Sequence, residues 1–356
     1  MPDWTKSMQQ TFDYYVVDPN SWQDTTRLTN ITSCSITRDS SQDTLGSATF
    51  DIIGSLDGDT YIRPYLVTLQ NGVRERFALG TFLAQTPNLS FDGKTTTGSI
   101  DAYTPLIELT EKMPPLGYTI FKNQNVMSNA YDICRENVRA PVISTTSTKT
   151  LYSDFVANTD DTWLTFLSDL LANDKRIFGL DELCRITFEP SQTLDSMMPR
   201  YAYDDSNSSI LYSDISASQD LFGIPNVVTV IYSGSYYTHT VTVKNEDSNS
   251  ETSIQSRGRE IEYVETSPSI TGSPTKGMVE EYAQSLLQSK STVTYTIEYS
   301  HGYCPVRLYD CVRLDCAKAG ISNLRARVSS QTIDCSTGCK VSETAVCTKK
   351  YWTTED

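Results

Sequence analysis

Residues 57–90 read DGDTYIRPYLVTLQNGVRERFALGTFLAQTPNLS, and this stretch decides the fold class. Two runs rich in β-branched, aromatic and leucine side chains, TYIRPYLVTLQ and VRERFALGTFLA, flank the dipeptide Asn71-Gly72. A two-residue hairpin turn of type I′ needs positive φ at both positions, which Asn and Gly tolerate, so the stretch predicts an antiparallel hairpin. Pro64 has no backbone donor and is expected at a strand edge or a bulge.

Strand grammar extends outward on both sides. Upstream, TRLTNITSCSITRDSS spaces Leu28, Ile31, Cys34 and Ile36 in a broken alternation, and LGSATFDIIG puts Ala48, Phe50 and Ile52 on one face at period two. Downstream, Phe91-Asp92-Gly93-Lys94 reads as a turn and TTTGSIDAY as the next strand. Successive short antiparallel strands suggest a sandwich or barrel.

The pattern then changes period. Val126, Ala130, Ile133 and Val138 have helical spacing, stopped by Pro141. A second helix at about 160–172 carries one apolar stripe, Trp163, Phe166, Leu167, Leu170 and Leu171, with Asp160 or Asp161 as the expected cap. RIFGLDELCRITFEP returns to strands around a turn at Gly179-Leu180-Asp181-Glu182. Further on, Val227 to Tyr232 is the clearest buried strand, YYTHTVTVKN continues it, and NEDSNSETS at 245–253 predicts an exposed loop. Pro274 to Ser289 predicts a third helix with Met278, Tyr282, Ala283, Leu286 and Leu287 inward. Four final strands are read in STVTYTIEYS, LYDCVRLDCA, ARVSSQTIDC and TAVCTKKYW. The fold class is therefore mostly β, with inserted α/β regions.

Composition narrows the function. The 356 residues imply several domains, and the 21 Tyr alongside many Ser, Thr, Asp and Asn suit half-buried strands joined by polar turns. A net charge of −15 argues against general nucleic-acid binding, which needs clustered Lys and Arg. It suits a surface past which DNA must slide. No secretory signal core is visible, and no run approaches the roughly 18 apolar residues of a membrane helix; the expectation is a chain made in the cytoplasm.

Catalytic signals are thin. The two histidines, His239 and His301, lack metal-binding partners at close spacing, and no nucleophile elbow, Walker loop or dinucleotide fingerprint occurs. Cys304 with His301 could form a nucleophile pair, against the plainer reading of a turn at HGYCP. Asp160-Asp161, Asp181-Glu182 and Asp204-Asp205 could supply a glycosidase carboxylate pair, yet each also sits where a cap or turn places acids. Nine scattered cysteines, Cys34, Cys134, Cys184, Cys304, Cys311, Cys316, Cys335, Cys339 and Cys347, read as a zinc knot, a disulfide-stapled tail or buried thiols; no C-x2-C pair occurs. Trp4, Trp22, Trp163 and Trp352 could stack on sugar, but Trp163 belongs to a helix stripe. No catalytic, cofactor or metal residue is assigned, and the chain is read as a non-enzyme.

Four stretches in order resemble the tail-tip or baseplate hub proteins of long-tailed bacteriophages and contractile injection machines. They are TRLTNITSCSITRDSSQDTLGSATFDI, RERFALGTFLAQTPNLSFDGKTTTGSIDAYTPLIEL, DDTWLTFLSDLLANDKRIFGLDELCRITFEP, and FGIPNVVTVIYSG with the later YDCVRLDC. Together they span about residues 25–345. One departure stands out: the family usually has Gly before the Asp of its closing D-x-V strand, and here Tyr309 precedes Asp310.

The resemblance implies two antiparallel barrel or sandwich domains like the tail-tube protein, with α/β domains inserted. The first would occupy 25–110 after an N-terminal arm at 1–24, and the second 200–240 with 290–350. Inserts would fall at 111–199 and 241–289, with a tail at 351–356. It further implies a virion protein that forms a homotrimeric ring on the tail tube, binding the distal tail protein, the tape-measure protein and tip, fibre or spike proteins. DNA would pass through its lumen without specific binding, and no cofactor or membrane segment is implied. The competing expectations are a hexameric ring such as the distal tail protein and, in another class, a tail-associated cell-wall hydrolase.

Overall fold

The computed structural model describes residues 2–56, 58–234, 236–270 and 272–353, without the side chain of residue 86. The expected tail at 351–356 lies outside the described residues beyond Thr353. The first strands are β1 (Gln9–Val17), β2 (Asp24–Leu28), β3 (Ile31–Asp39), β4 (Gly46–Ile53), β5 (Thr60–Gln70), β6 (Val73–Ala78), β7 (Phe82–Phe91) and β8 (Thr96–Tyr103). A mixed stretch follows, with α1 (Ile107–Thr110), β9 (Thr119–Ile120), α2 (Val126–Asn137), β10 (Phe155–Val156), α3 (Trp163–Ala172), β11 (Arg176–Leu180) and β12 (Ile186–Pro190). Next are β13 (Tyr201–Asp204), β14 (Leu211–Gln219), β15 (Val227–Ser233), β16 (Thr238–Lys244), α4 (Ile254–Arg257), β17 (Glu262–Glu265) and α5 (Lys276–Lys290). The last described strands are β18 (Thr292–Gly302), β19 (Cys311–Cys316), β20 (Ile321–Asp334) and β21 (Lys340–Lys350).

The protein is mostly β, and antiparallel pairing dominates. Its main ladder runs β14-β18-β21-β20-β3-β4-β8-β7-β5-β1-β2, with β6 on β5 and the parallel strand β13 reaching β20 through β19. Among the described residues this ladder is an open path, and the β20–β3 pair joins strands far apart in sequence. The chain divides into two compact units, Met1–Ile215 with Glu298–Ala345, and Ser216–Ile297 with Val346–Asp356. The division falls inside β14, β18 and β21.

In the first unit the period-two face of β4 is the core face: Ala48, Phe50 and Ile52 are buried beside Ile36, Leu66 and Ile100. The hairpin forms at Asn71-Gly72, with φ of 52° and 78° and Gln70 opposite Val73. Pro64 is in an interior strand rather than at an edge. On one side it faces Tyr14 of β1; on the other, β7 pairs Thr60–Ile62 and β6 pairs Tyr65–Gln70. The missing donor thus falls where β5 changes partner, and the Pro64 carbonyl still accepts from Leu79 N at 3.0 Å.

A second core in this unit packs α2 and α3. Val126, Ala130 and Ile133 are buried, as is the whole α3 stripe. The α3 cap is Thr162, not Asp160 or Asp161. Its hydroxyl accepts from Thr165 N at 3.2 Å in a reciprocal capping box, while Asp161 accepts from Asn158 N at 2.8 Å. The β11–β12 turn is shifted to Asp181–Arg185, because Gly179 stays in the strand, where a Cβ would meet Glu189 and Thr187 at 2.6 Å.

In the second unit α5 packs on the sheet β16-β15-β17. Its buried face is Val279, Ala283 and Leu287, with Tyr282 and Leu286 half-buried at its border; of the expected inward residues only Met278, 47% exposed, turns out, and Val279 takes its place. The segment 245–253 is exposed as expected at Glu246, Asp247, Ser248, Asn249 and Glu251, but its ends turn inward. Asn245, Ser250, Thr252 and Ser253 are buried, with Asn245 Nδ2 donating to Ser250 Oγ at 2.9 Å and Thr252 Oγ1 at 3.2 Å. Short polar side chains can bury if they satisfy one another.

Candidate functional surface

The most extended feature that strand alternation builds is the outer face of β20, β3, β4, β8 and β7. With Ile36, Phe50, Ile100 and Ile333 turned into the core, the residues between them must face away from it. Register aligns them in rows. Asp334, Ser35, Thr49 and Asp101 lie side by side, and Ser33, Asp51, Ser99 and Asn88 form the next row. Thr332, Thr37, Ser47 and Tyr103 make a third. No lysine or arginine stands in these rows. Thr49 Oγ1 donates to Asp101 Oδ1 at 3.2 Å, and Ser33 Oγ donates to Asp51, so hydroxyls hold the carboxylates in place. Such a face repels phosphate and offers it no cation. The sequence carried this signal in the alternation of ITSCSITRD and GSATFDII, although reading the rows requires the strand order.

The structure brings His301 and Cys304 together, but inside the protein. His301 is 0% and Cys304 2% exposed. The Tyr203 hydroxyl lies 3.1 Å from His301 Nε2 and 3.3 Å from Cys304 Sγ, and His301 Nδ1 donates to Gly302 O at 2.7 Å. His301 Nε2 stands 3.5 Å from Glu343 Oε2, and Tyr299 Oη and Gln331 Nε2 also donate to Glu343. Burial opposes the charged imidazole, but hydrogen bonding to Cys304 and Glu343 outweighs it and raises His301 to about 10. Burial, then the Glu343 charge, pushes the Tyr203 and Tyr299 hydroxyls well up. With both groups closed to solvent and their partners inside the protein, the constellation is a polar core cluster with no path for a substrate to reach Cys304. His239 lies apart in β16, opposite Tyr232.

The Asp181-Glu182 and Asp204-Asp205 carboxylates are engaged by their own turns and by groups distant in sequence. Asp181 accepts from Leu183 N and Arg185 N and pairs with Arg185 at 2.5 Å, while Glu182 pairs with Arg307. Hydrogen bonding from Ser206 lowers the Asp204 carboxyl, and Asp205 accepts from Lys318 N at 3.3 Å. The nine cysteines are free and buried, and burial raises Cys184 to about 11 and Cys134 to about 12. Trp22 and Trp163 are buried; Trp4 packs edge-on against Phe77 and Tyr303, and Trp352 packs beside α5.

The fold that presents this face is similar to that of solved phage tail proteins, in line with what the sequence resemblance implies. The chain is similar to the 43 kDa tail protein of prophage MuSo2 from Shewanella oneidensis, with a TM-score of 0.62 and 12% identity over 95% of this chain and 98% of that one. It is similar also to a tail protein from Neisseria meningitidis MC58, with a TM-score of 0.58 and 12% identity over 95% and 97%. A chain of the Francisella PdpA–VgrG complex aligns with a TM-score of 0.56 and 8% identity, covering 99% of this chain and 54% of that one. No family model matches the sequence, and no curated protein matches it.

Proposed function

We propose that this chain is a structural virion protein of a phage-type tail, a tail-tip hub that forms a trimeric ring continuing the tail tube. In this reading the ring holds tip, fibre or spike proteins on one side, meets the tail-tube and distal tail proteins on the other, and lets the tape-measure protein and DNA pass. The observation that carries it is the face of β20, β3, β4, β8 and β7, where three aspartates and a field of hydroxyls occur without a basic residue. Facing a channel, it would let a polyanion slide by like-charge repulsion. The buried His301 cluster supports a non-enzymatic role, because its polar groups are satisfied internally and closed to substrate.

The test is the triple substitution Asp51→Lys, Asp101→Lys and Asp334→Lys in an assembled tail. These side chains are exposed, so folding should persist. DNA release should slow markedly at low salt and recover as salt screens the new charges. Release unaffected at every ionic strength would sink the proposal.

A further inference from the structure

A cavity of about 380 Å³ in the first unit is lined by four arginines, Arg38, Arg200, Arg307 and Arg327. In a chain of net charge −15 this concentration of cations needs a reason. The carboxylates of the lining offset it incompletely. Asp181 is engaged by Arg185, Asp310 accepts from Arg307 N at 2.9 Å, and Glu189 is exposed. Arg307 pairs with Glu182, but Arg38 donates only to neutral acceptors, Gln331 Oε1 at 3.1 Å and Leu79 O at 3.0 Å. Among the described residues no ion pair reaches Arg38, Arg200 or Arg327, and the buried Nε of Arg327 has no hydrogen-bond partner. A buried cationic donor left unmatched is costly unless something else satisfies it.

The wall beside Arg327 is itself strained. Tyr309 has φ of 71°, a left-handed backbone that a bulky residue rarely adopts, and its ring lies 4.9 Å from the Arg327 guanidinium carbon. Glycine would take that backbone without strain, but only an aromatic ring can stack on the guanidinium.

We propose that this cavity binds an oxyanion, the carboxylate or phosphate of a small organic molecule, with Arg327 and Arg38 as its principal donors and Tyr309 holding Arg327 in place. Arginine forks match both groups in geometry and charge. The cavity has room for an organic body beyond the anionic group, in a wall that includes Leu45 and Phe82.

The experiment is titration calorimetry on the full chain at low ionic strength, with inorganic phosphate in one arm and N-acetyl-aspartate in the other. Saturable binding in at least one arm is expected, and the arm that binds tells phosphate from carboxylate. Arg327→Gln should weaken it about tenfold or more. Tyr309→Gly should weaken it as well, whereas Tyr309→Phe, which keeps the ring, should not; this pair keeps the test decisive if the arginine variant fails to fold. No saturation by either probe into the millimolar range, or equal affinity in parent, Arg327→Gln and Tyr309→Gly, would overturn the proposal.

Discussion

His301 carries a charge that its burial opposes, and the interior is arranged to keep it. The imidazolium is matched by Glu343, which is in turn held by Tyr299 and Gln331. Its value of about 10 in the folded protein lies above the ordinary 6.5, so the stability it contributes is full below about pH 6.5 and is lost as pH rises through 10. Denaturant unfolding across pH 6 to 10.5 should therefore show a decline that is flattened in His301→Gln. That variant should also lose about 3–5 kcal/mol at neutral pH, because Glu343 is left buried without its cation. A smaller effect is expected at the α3 cap, where Thr162→Ala should cost about 1 kcal/mol and Asp161→Ala less. At this scale the sequence was partly legible. It exposed the departure at Tyr309, where the structure keeps the left-handed backbone that glycine would favour. It could not show that Asn245 and Ser250 are interior, since polar residues in a short segment read as solvent-facing until their mutual hydrogen bonds are seen.

Elements were legible to different degrees because strands and helices encode their faces differently. A strand has two faces, so Ala48, Phe50 and Ile52 were enough to fix the buried side of β4. The type I′ turn at Asn71-Gly72 was fixed by φ requirements alone; Gly72→Val should cost about 1–2 kcal/mol in thermal unfolding, since φ of 78° clashes with a β-branched side chain. Helix α5 was harder, because apolar residues border its stripe on both sides, and Val279 rather than its neighbour Met278 faces inward. Its observed face predicts that Leu287→Ala costs about 2–5 kcal/mol, whereas Met278→Ala stays within about 0.5 kcal/mol. Comparable losses for the two variants in denaturant titration would contradict that orientation. Strand pairing between β20 and β3 had no local signal, since partners some three hundred positions apart leave no periodicity in either strand.

For the whole molecule, the ordered stretches of sequence pointed to the tail-protein fold, and the strand order then revealed what they could not, a continuous acidic and hydroxylic face. A closed ring would turn that face into a channel, and cyclic symmetry is the favoured way to build one. The most direct measurement is a reconstruction of the assembled tail tip by electron microscopy without imposed symmetry. The account predicts a threefold ring of this chain at the end of the tube, with Asp51, Asp101 and Asp334 lining the channel. A sixfold ring of this chain, or a threefold one with that face turned outward or covered by another protein, would contradict it.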